Sequence, residues 1–338
     1  MTSFQSIEAF ETALADLREP DAHAAADARV RQAELTKPAG SLGRLEDLAI
    51  FFAGWQRRAR PRIDSARAAI FAGNHGVTVH GVSAFPPSVT AQMVANFANG
   101  GAAINALSDT AGLELAVVAL DLDRPTADFT SVPAMTEAEC LDALNRGAAV
   151  VEADLDMVVL GEMGIGNSTA AAALCARAFG GNAAAWVGPG TGVDGHGIAR
   201  KAEVVDRALA CHTGAPRSAF ETLRRVGGRE TTAIAGAILR ARQLGVPVLL
   251  DGFICTSAIA PLAADNPAIV GHCIAGHCSA ELGHKRLLAL LGLDPLLSLD
   301  MRLGEGSGAA VAANIIRSAL AAHDRMATFA EARVSASL

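Results

Sequence analysis

The stretch LDMVVLGEMGIGNST, residues 155–169, joins a short apolar run to a glycine-rich turn and the opening of an alanine-rich helix. The same order recurs along the chain. Ala66 to Ala72 leads into GNHG, Glu114 to Asp121 ends in DLD, and Val246 to Leu250 leads into DGF. Ala268 to Ala275 leads into GHCS, and Leu296 to Leu299 into DMRLGEGSG. Runs this short and this continuously apolar suit strands covered on both faces, the situation of a parallel sheet. The expected class is α/β, built on a parallel sheet.

Helices fill the gaps. Leu45, Leu48, Ala49 and Phe52 share one face after Ser41, and Val89, Met93, Val94 and Phe97 share one after Pro87. The first 60 residues or so show helical spacing and no strand-like run. Residues 1–60 with 309–338 are therefore expected to form a small helical lobe beside a parallel α/β body, 61–308.

Composition excludes several classes of function. Lys and Arg number 28 against 35 Asp and Glu, and aromatics are 4% of residues with no Tyr, so the chain offers no basic, stacking surface for nucleic acid. Leu244 to Ala264, the most membrane-like stretch, contains Asp251 and Pro247, and no bilayer span is expected. The N-terminus has neither a basic start nor a continuous apolar run, so no signal peptide is expected. Six cysteines without a Cys-x-x-Cys pair read as reduced, buried thiols, which points to the cytoplasm.

In an open parallel sheet, ligands collect where loops leave the carboxyl ends of the strands. Gly161 to Thr169 is such a loop. Its glycines let a ligand approach the backbone and the following helix start favours a phosphate, although a plain strand-to-helix turn needs the same glycines. It carries neither a P-loop lysine nor the dinucleotide spacing. Gly188-Pro-Gly-Thr-Gly192 precedes a polar helix with Arg200 and Lys201; the lysine is either a phosphate partner or a solvated surface group. Glu305, between Gly304 and Gly306, is either a general base kept ionised by a nearby helix N-terminus or an ordinary helix-start carboxylate. His75 reads as a structural, hydrogen-bonded histidine ahead of a general acid. The run Ser83 to Met93 mixes an aromatic, a rigid turn and an amide in a way that suits a flat heteroaromatic ligand. Asp121 with Asp123, and the group His272, Cys273, His277, Cys278 and His284, lack the spacing of known zinc or calcium sites.

Taken together, several ordered segments resemble one family. TKPAGSLGRLEDLA (36–49), GNHGV, Phe85 to Phe97, GEMGIGNST (161–169), LDGF (250–253), HCSAELGH (277–284) and MRLGEGSGAA (301–310) are similar to the nicotinate-nucleotide–dimethylbenzimidazole phosphoribosyltransferases across roughly residues 10–330. The resemblance implies transfer of the 5-phosphoribosyl group from nicotinate mononucleotide to 5,6-dimethylbenzimidazole, yielding nicotinate and α-ribazole 5′-phosphate for the cobalamin nucleotide loop. It implies a homodimer without metal or cofactor, with an α/β doubly wound parallel sheet of Rossmann-like form and a small helical domain built from the two chain ends. Glu305 becomes the general base. Phosphoribosyl binding falls to Glu162, Gly164, Gly166, Asn167 and Ser168, with Lys201, Asp251 and Ser279. The base pocket draws on Ser83, Phe85, Gln92 and Leu303. With so few aromatics, that pocket is expected to be lined mainly by aliphatic side chains. Competing readings are a nicotinamide-dependent oxidoreductase, which would need the missing dinucleotide fingerprint, a non-catalytic nucleotide-binding module, and a nucleotide hydrolase.

Overall fold

The structure, a computed structural model, describes residues 4–190 and 192–335. Five parallel strands form one sheet: β1 (Ala66–Ala72), β2 (Glu114–Ala119), β3 (Met157–Met163), β4 (Val248–Leu250) and β5 (Cys273–Ala275). Their order is β2-β1-β3-β4-β5, so the winding reverses between β1 and β3. Such a reversal opens a crevice beyond the strands' carboxyl ends.

Successive strand side chains face opposite sides, and here both sides are buried. Ala69 and Phe71 of β1, Val158 and Leu160 of β3, and Val248 and Leu250 of β4 enter one core. Ala68, Ile70, Met157, Val159 and Leu249 enter the other. This double burial is why the strands read as continuous apolar runs. Two helices pack with unusual closeness on the first face, Glu137–Ala148 and Arg229–Leu244. A Cβ at Gly147 would collide with the Ala233 carbonyl, and one at Gly236 with the Leu144 carbonyl.

The chain ends divide between the two faces. Phe10 and Leu14 join the first core. Leu48, Phe52 and the stretch Ala309 to Leu320 build the second. The helix Ser307–Arg325 lies on the sheet as well as against the helix Arg44–Gln56.

Two strand expectations change. Leu296 to Leu299 forms no strand; Leu297 makes an isolated bridge to His277, and the preceding Pro295 has no N–H to extend a ladder. The segment expected to run from Ala268 becomes strand only at Cys273, because Pro267–His272 forms a 3-10 turn whose Ala268 N–H is taken by the Asn266 side chain. Among the cysteines, Cys211 is exposed rather than buried. Among the described residues no helix is long and apolar enough to cross a membrane.

Candidate active site

A cleft of about 820 Å³ opens at the carboxyl ends of the strands. Its walls come from Val82–Ala84 beyond β1, Glu162–Ser168 at the end of β3, Gly252–Ile254 beyond β4, and segments beyond β5.

One end is a polar cradle. Gly166 takes a left-handed backbone, φ 97°, where the chain turns from β3 into the helix Asn167–Phe179. Lys201 reaches in from the helix Gly195–Cys211 and is buried, not solvated. Its Nζ donates to Ser168 Oγ at 3.0 Å and to the Gly188 carbonyl at 3.3 Å. A Cβ at Gly190 would lie 2.9 Å from that Nζ, so the glycine admits the ammonium. Burial lowers the Lys201 pKa from its ordinary value, with the Glu281 carboxylate opposing. A helix start, a hydroxyl and one desolvated cation together favour a phosphate.

The other end is acidic. Glu162 is buried, and burial followed by the charges of Asp251, Glu230 and Glu305 pushes its carboxyl well above the usual range. Asn167 Nδ2 donates to Glu162 Oε2. Asp251 accepts the Gly306 N–H at 3.1 Å and the Ala309 N–H at 2.9 Å, capping the helix Ser307–Arg325. It therefore acts through that helix start, and His277 Nε2 lies 3.3 Å from its Oδ1. Glu305 donates its backbone N–H to the Glu162 carbonyl at 3.2 Å. Its side chain is 5% exposed, and burial, then the Asp251 charge, raises its pKa to about 6. The expectation that a helix N-terminus keeps Glu305 ionised is corrected here: Asp251 already holds those amides. Glu305 follows Gly304 of the wall in the chain and is not itself one of the lining residues.

Ser83 and Leu303 line the cleft, as expected for the base side. Phe85 and Gln92 do not. Phe85 is 48% exposed in the turn before Pro86, and Gln92 sits on the exposed side of the helix Ser88–Ala98, whose buried residues are Thr90 and Phe97. Thr90 is the residue of that stretch that reaches the glycine loop, accepting the Ile165 N–H at 3.2 Å. The apolar wall is Val82, Met163, Ile165, Val193, Ile254 and Leu303, with Phe253 the one benzene ring.

Ser279 lines the cleft and is held by His284, whose Nδ1 accepts the Ser279 N–H at 2.9 Å. Burial drives the His284 pKa down to about 3, so the ring is neutral and its Nε2 faces Thr256 Oγ at 3.2 Å. His75 is structural: its Nε2 bonds Glu230 Oε1 at 2.7 Å, and both side chains are wholly buried. Among the described residues no three His, Cys, Asp or Glu side chains converge as metal ligands. Glu281, Phe253 and Thr90 were not singled out in the sequence, and His277 was weighed there only as a metal ligand. The HCSAELGH motif placed Glu281 and His277 in a strand-to-helix loop, which was the available signal.

Comparison with known proteins identifies the family. A family model described as phosphoribosyltransferase matches residues 17–334. A nicotinate-nucleotide–dimethylbenzimidazole phosphoribosyltransferase of Novosphingobium aromaticivorans is 68% identical over 335 residues, covering 99% of each chain. The protein of that name from Mesorhizobium japonicum is 56% identical, covering 98% of this chain and 99% of its own. A crystal structure of the Thermus thermophilus enzyme of that name superposes with a TM-score of 0.87 at 38% identity, covering 94% of this chain and 100% of the other. With identity sustained over the whole length and the same fold, the chain belongs to the nicotinate-nucleotide–dimethylbenzimidazole phosphoribosyltransferase family.

Proposed function

We propose that this protein transfers the 5-phosphoribosyl group of nicotinate mononucleotide to 5,6-dimethylbenzimidazole, giving α-ribazole 5′-phosphate and nicotinate for cobalamin assembly. The observation that carries the reading is one cleft with a desolvated lysine and glycine loop at one end and buried Glu162 at the other, where the Glu305 backbone N–H donates to the Glu162 carbonyl. The first suits the 5′-phosphate. The second suits a proton acceptor beside an aromatic N–H.

In the donor, C1′ is bonded to a cationic pyridinium nitrogen. When that bond breaks, its electron pair neutralises the ring, so nicotinate leaves without a strong general acid. One benzimidazole nitrogen attacks C1′ from the opposite face, and the β anomer becomes the α anomer. The other nitrogen then carries a proton that must be removed. Glu305 takes it: a carboxylate with a pKa near 6 is ionised at neutral pH and is a better base than an ordinary one. Glu162 and Asn167 flank the ribose, and Lys201 with Ser168 and Gly190 holds the phosphate. Val82, Ser83 and Leu303 offer an apolar slot for the acceptor. Aligning two flat rings on opposite faces of one ribose recovers on the order of 7–11 kcal/mol of the barrier.

Asp251 and Ser279 serve as positioning residues in this scheme, the first through the helix start that follows Glu305 and the second along the ribose wall. A homodimer follows from the family resemblance, and a cytoplasmic location from six cysteines read as reduced thiols. Proton NMR of the product tests the displacement. An α-configured ribosyl benzimidazole is expected, and a β-configured product would overturn attack opposite the leaving group.

A further inference from the structure

Glu281 lines the phosphate end of the cleft, yet no step above uses it. It immediately precedes the helix Leu282–Leu291, and its side chain is buried. The carboxylate presses on Gly188 so closely that no Cβ fits there. The Gly190 backbone amide nearby favours its charged form. Two cations line the same cleft and favour its charge from beyond ion-pair distance: Lys201 from the helix Gly195–Cys211, and Arg302 from the loop before Glu305. A glycine N–H beside a buried ammonium is an oxyanion seat, and a carboxylate of the chain itself borders it, against the Gly188 whose carbonyl accepts from Lys201 Nζ. A phosphate dianion arriving there meets a like charge at close range in a poorly hydrated site, and the two cannot both stay fully ionised at low cost.

We infer that Glu281 borders the phosphate seat in the free protein and gains one proton when a sugar-phosphate dianion takes its place beside Lys201 and Gly190. The proton comes from solvent, and no covalent bond changes. This rests on the phosphate cradle of the proposed function and adds to it a selection by charge and pH. Burial already raises the Glu281 carboxyl against the opposing Lys201 and Arg302 charges, so an incoming dianion pushes it further the same way. The consequence is that dianion affinity falls as pH rises past the Glu281 titration.

Ribose 5-phosphate is the probe, titrated calorimetrically in two buffers of different ionisation enthalpy. At about pH 8 its phosphate is a dianion, since the second pKa is near 6. About one proton should be taken up per ribose 5-phosphate bound by the unsubstituted protein, and Glu281→Gln should lose that uptake. Glu281→Gln should also bind the probe roughly tenfold more tightly at about pH 8, an advantage that shrinks toward about pH 6, because one proton linked over one pH unit is tenfold in affinity. Absent proton uptake in the unsubstituted protein overturns the inference without needing any variant to fold. Equal or weaker binding by Glu281→Gln at about pH 8 overturns it too, weaker binding making Glu281 a direct ligand of the sugar. Lys201→Ala separates the two readings. Reduced affinity upholds the cradle whatever Glu281 does, whereas unchanged affinity removes the cradle and this inference with it.

Discussion

Glu305 sits at φ 62° between Gly304 at 83° and Gly306 at 75°, three successive left-handed residues of which only one has a side chain. A non-glycine residue held there costs on the order of 1–3 kcal/mol, and the surrounding contacts keep it so that a carboxylate stands beside Glu162. Burial and the Asp251 charge both disfavour its ionised form, so below its pKa the base is protonated and lost. The value of kcat/KM should therefore rise with pH through about 6. Glu305→Gln should abolish that limb and lower kcat by roughly 10²–10⁴-fold with KM little changed; an unshifted profile would place the base elsewhere. Lys201→Ala removes a charged hydrogen-bond partner worth about 1.5–3 kcal/mol, so the nicotinate mononucleotide KM should rise roughly 10–100-fold, and steady-state kinetics would expose an unaffected KM. That Ser168, Lys201 and the loop carrying Glu305 gather at one cleft was legible because glycine turns at strand ends are local signals. Phe85 and Gln92 lie outside the cleft lining, since an aromatic and an amide near apolar residues do not reveal which way a turn or a helix faces. Glu281 was illegible because its contact with Gly188 joins loops about ninety residues apart.

Among the secondary elements, β3 and the helix Ser307–Arg325 are brought together by bare backbone. A Cβ on Gly161 would fall 2.6 Å from both Gly306 Cα and Ile70 Cδ1. Gly161→Ala should push the helix start away from β3, cost about 1–3 kcal/mol by overpacking, and displace Glu305 enough to lower kcat. Thermal melting and turnover check both, and a variant matching the parent in both would show that the approach is not required. The strands themselves were readable from their apolar runs because the sheet is covered on both sides. Their ends were less so: Pro267 and Pro295 shorten or cancel two expected runs, and a proline's effect depends on whether its N–H is needed by a neighbour.

At the scale of the whole molecule, the class was legible but the strand order was not, because β3 pairs β1 across more than eighty residues and nothing local encodes that. The expected lobe of chain-end helices rested on helical spacing, which carries no information about the sheet face that each helix covers. Phe10 goes to one core and Phe52 to the other. Dimer formation should give a solution mass twice the 34.5 kDa of one chain by light scattering, and a species of single-chain mass would remove the homodimer. The most direct test of phosphoribosyl transfer follows nicotinate release from nicotinate mononucleotide with and without 5,6-dimethylbenzimidazole. Release that depends on the acceptor and matches α-ribazole 5′-phosphate mole for mole is expected; release at the same rate without acceptor would contradict transfer and leave hydrolysis in its place.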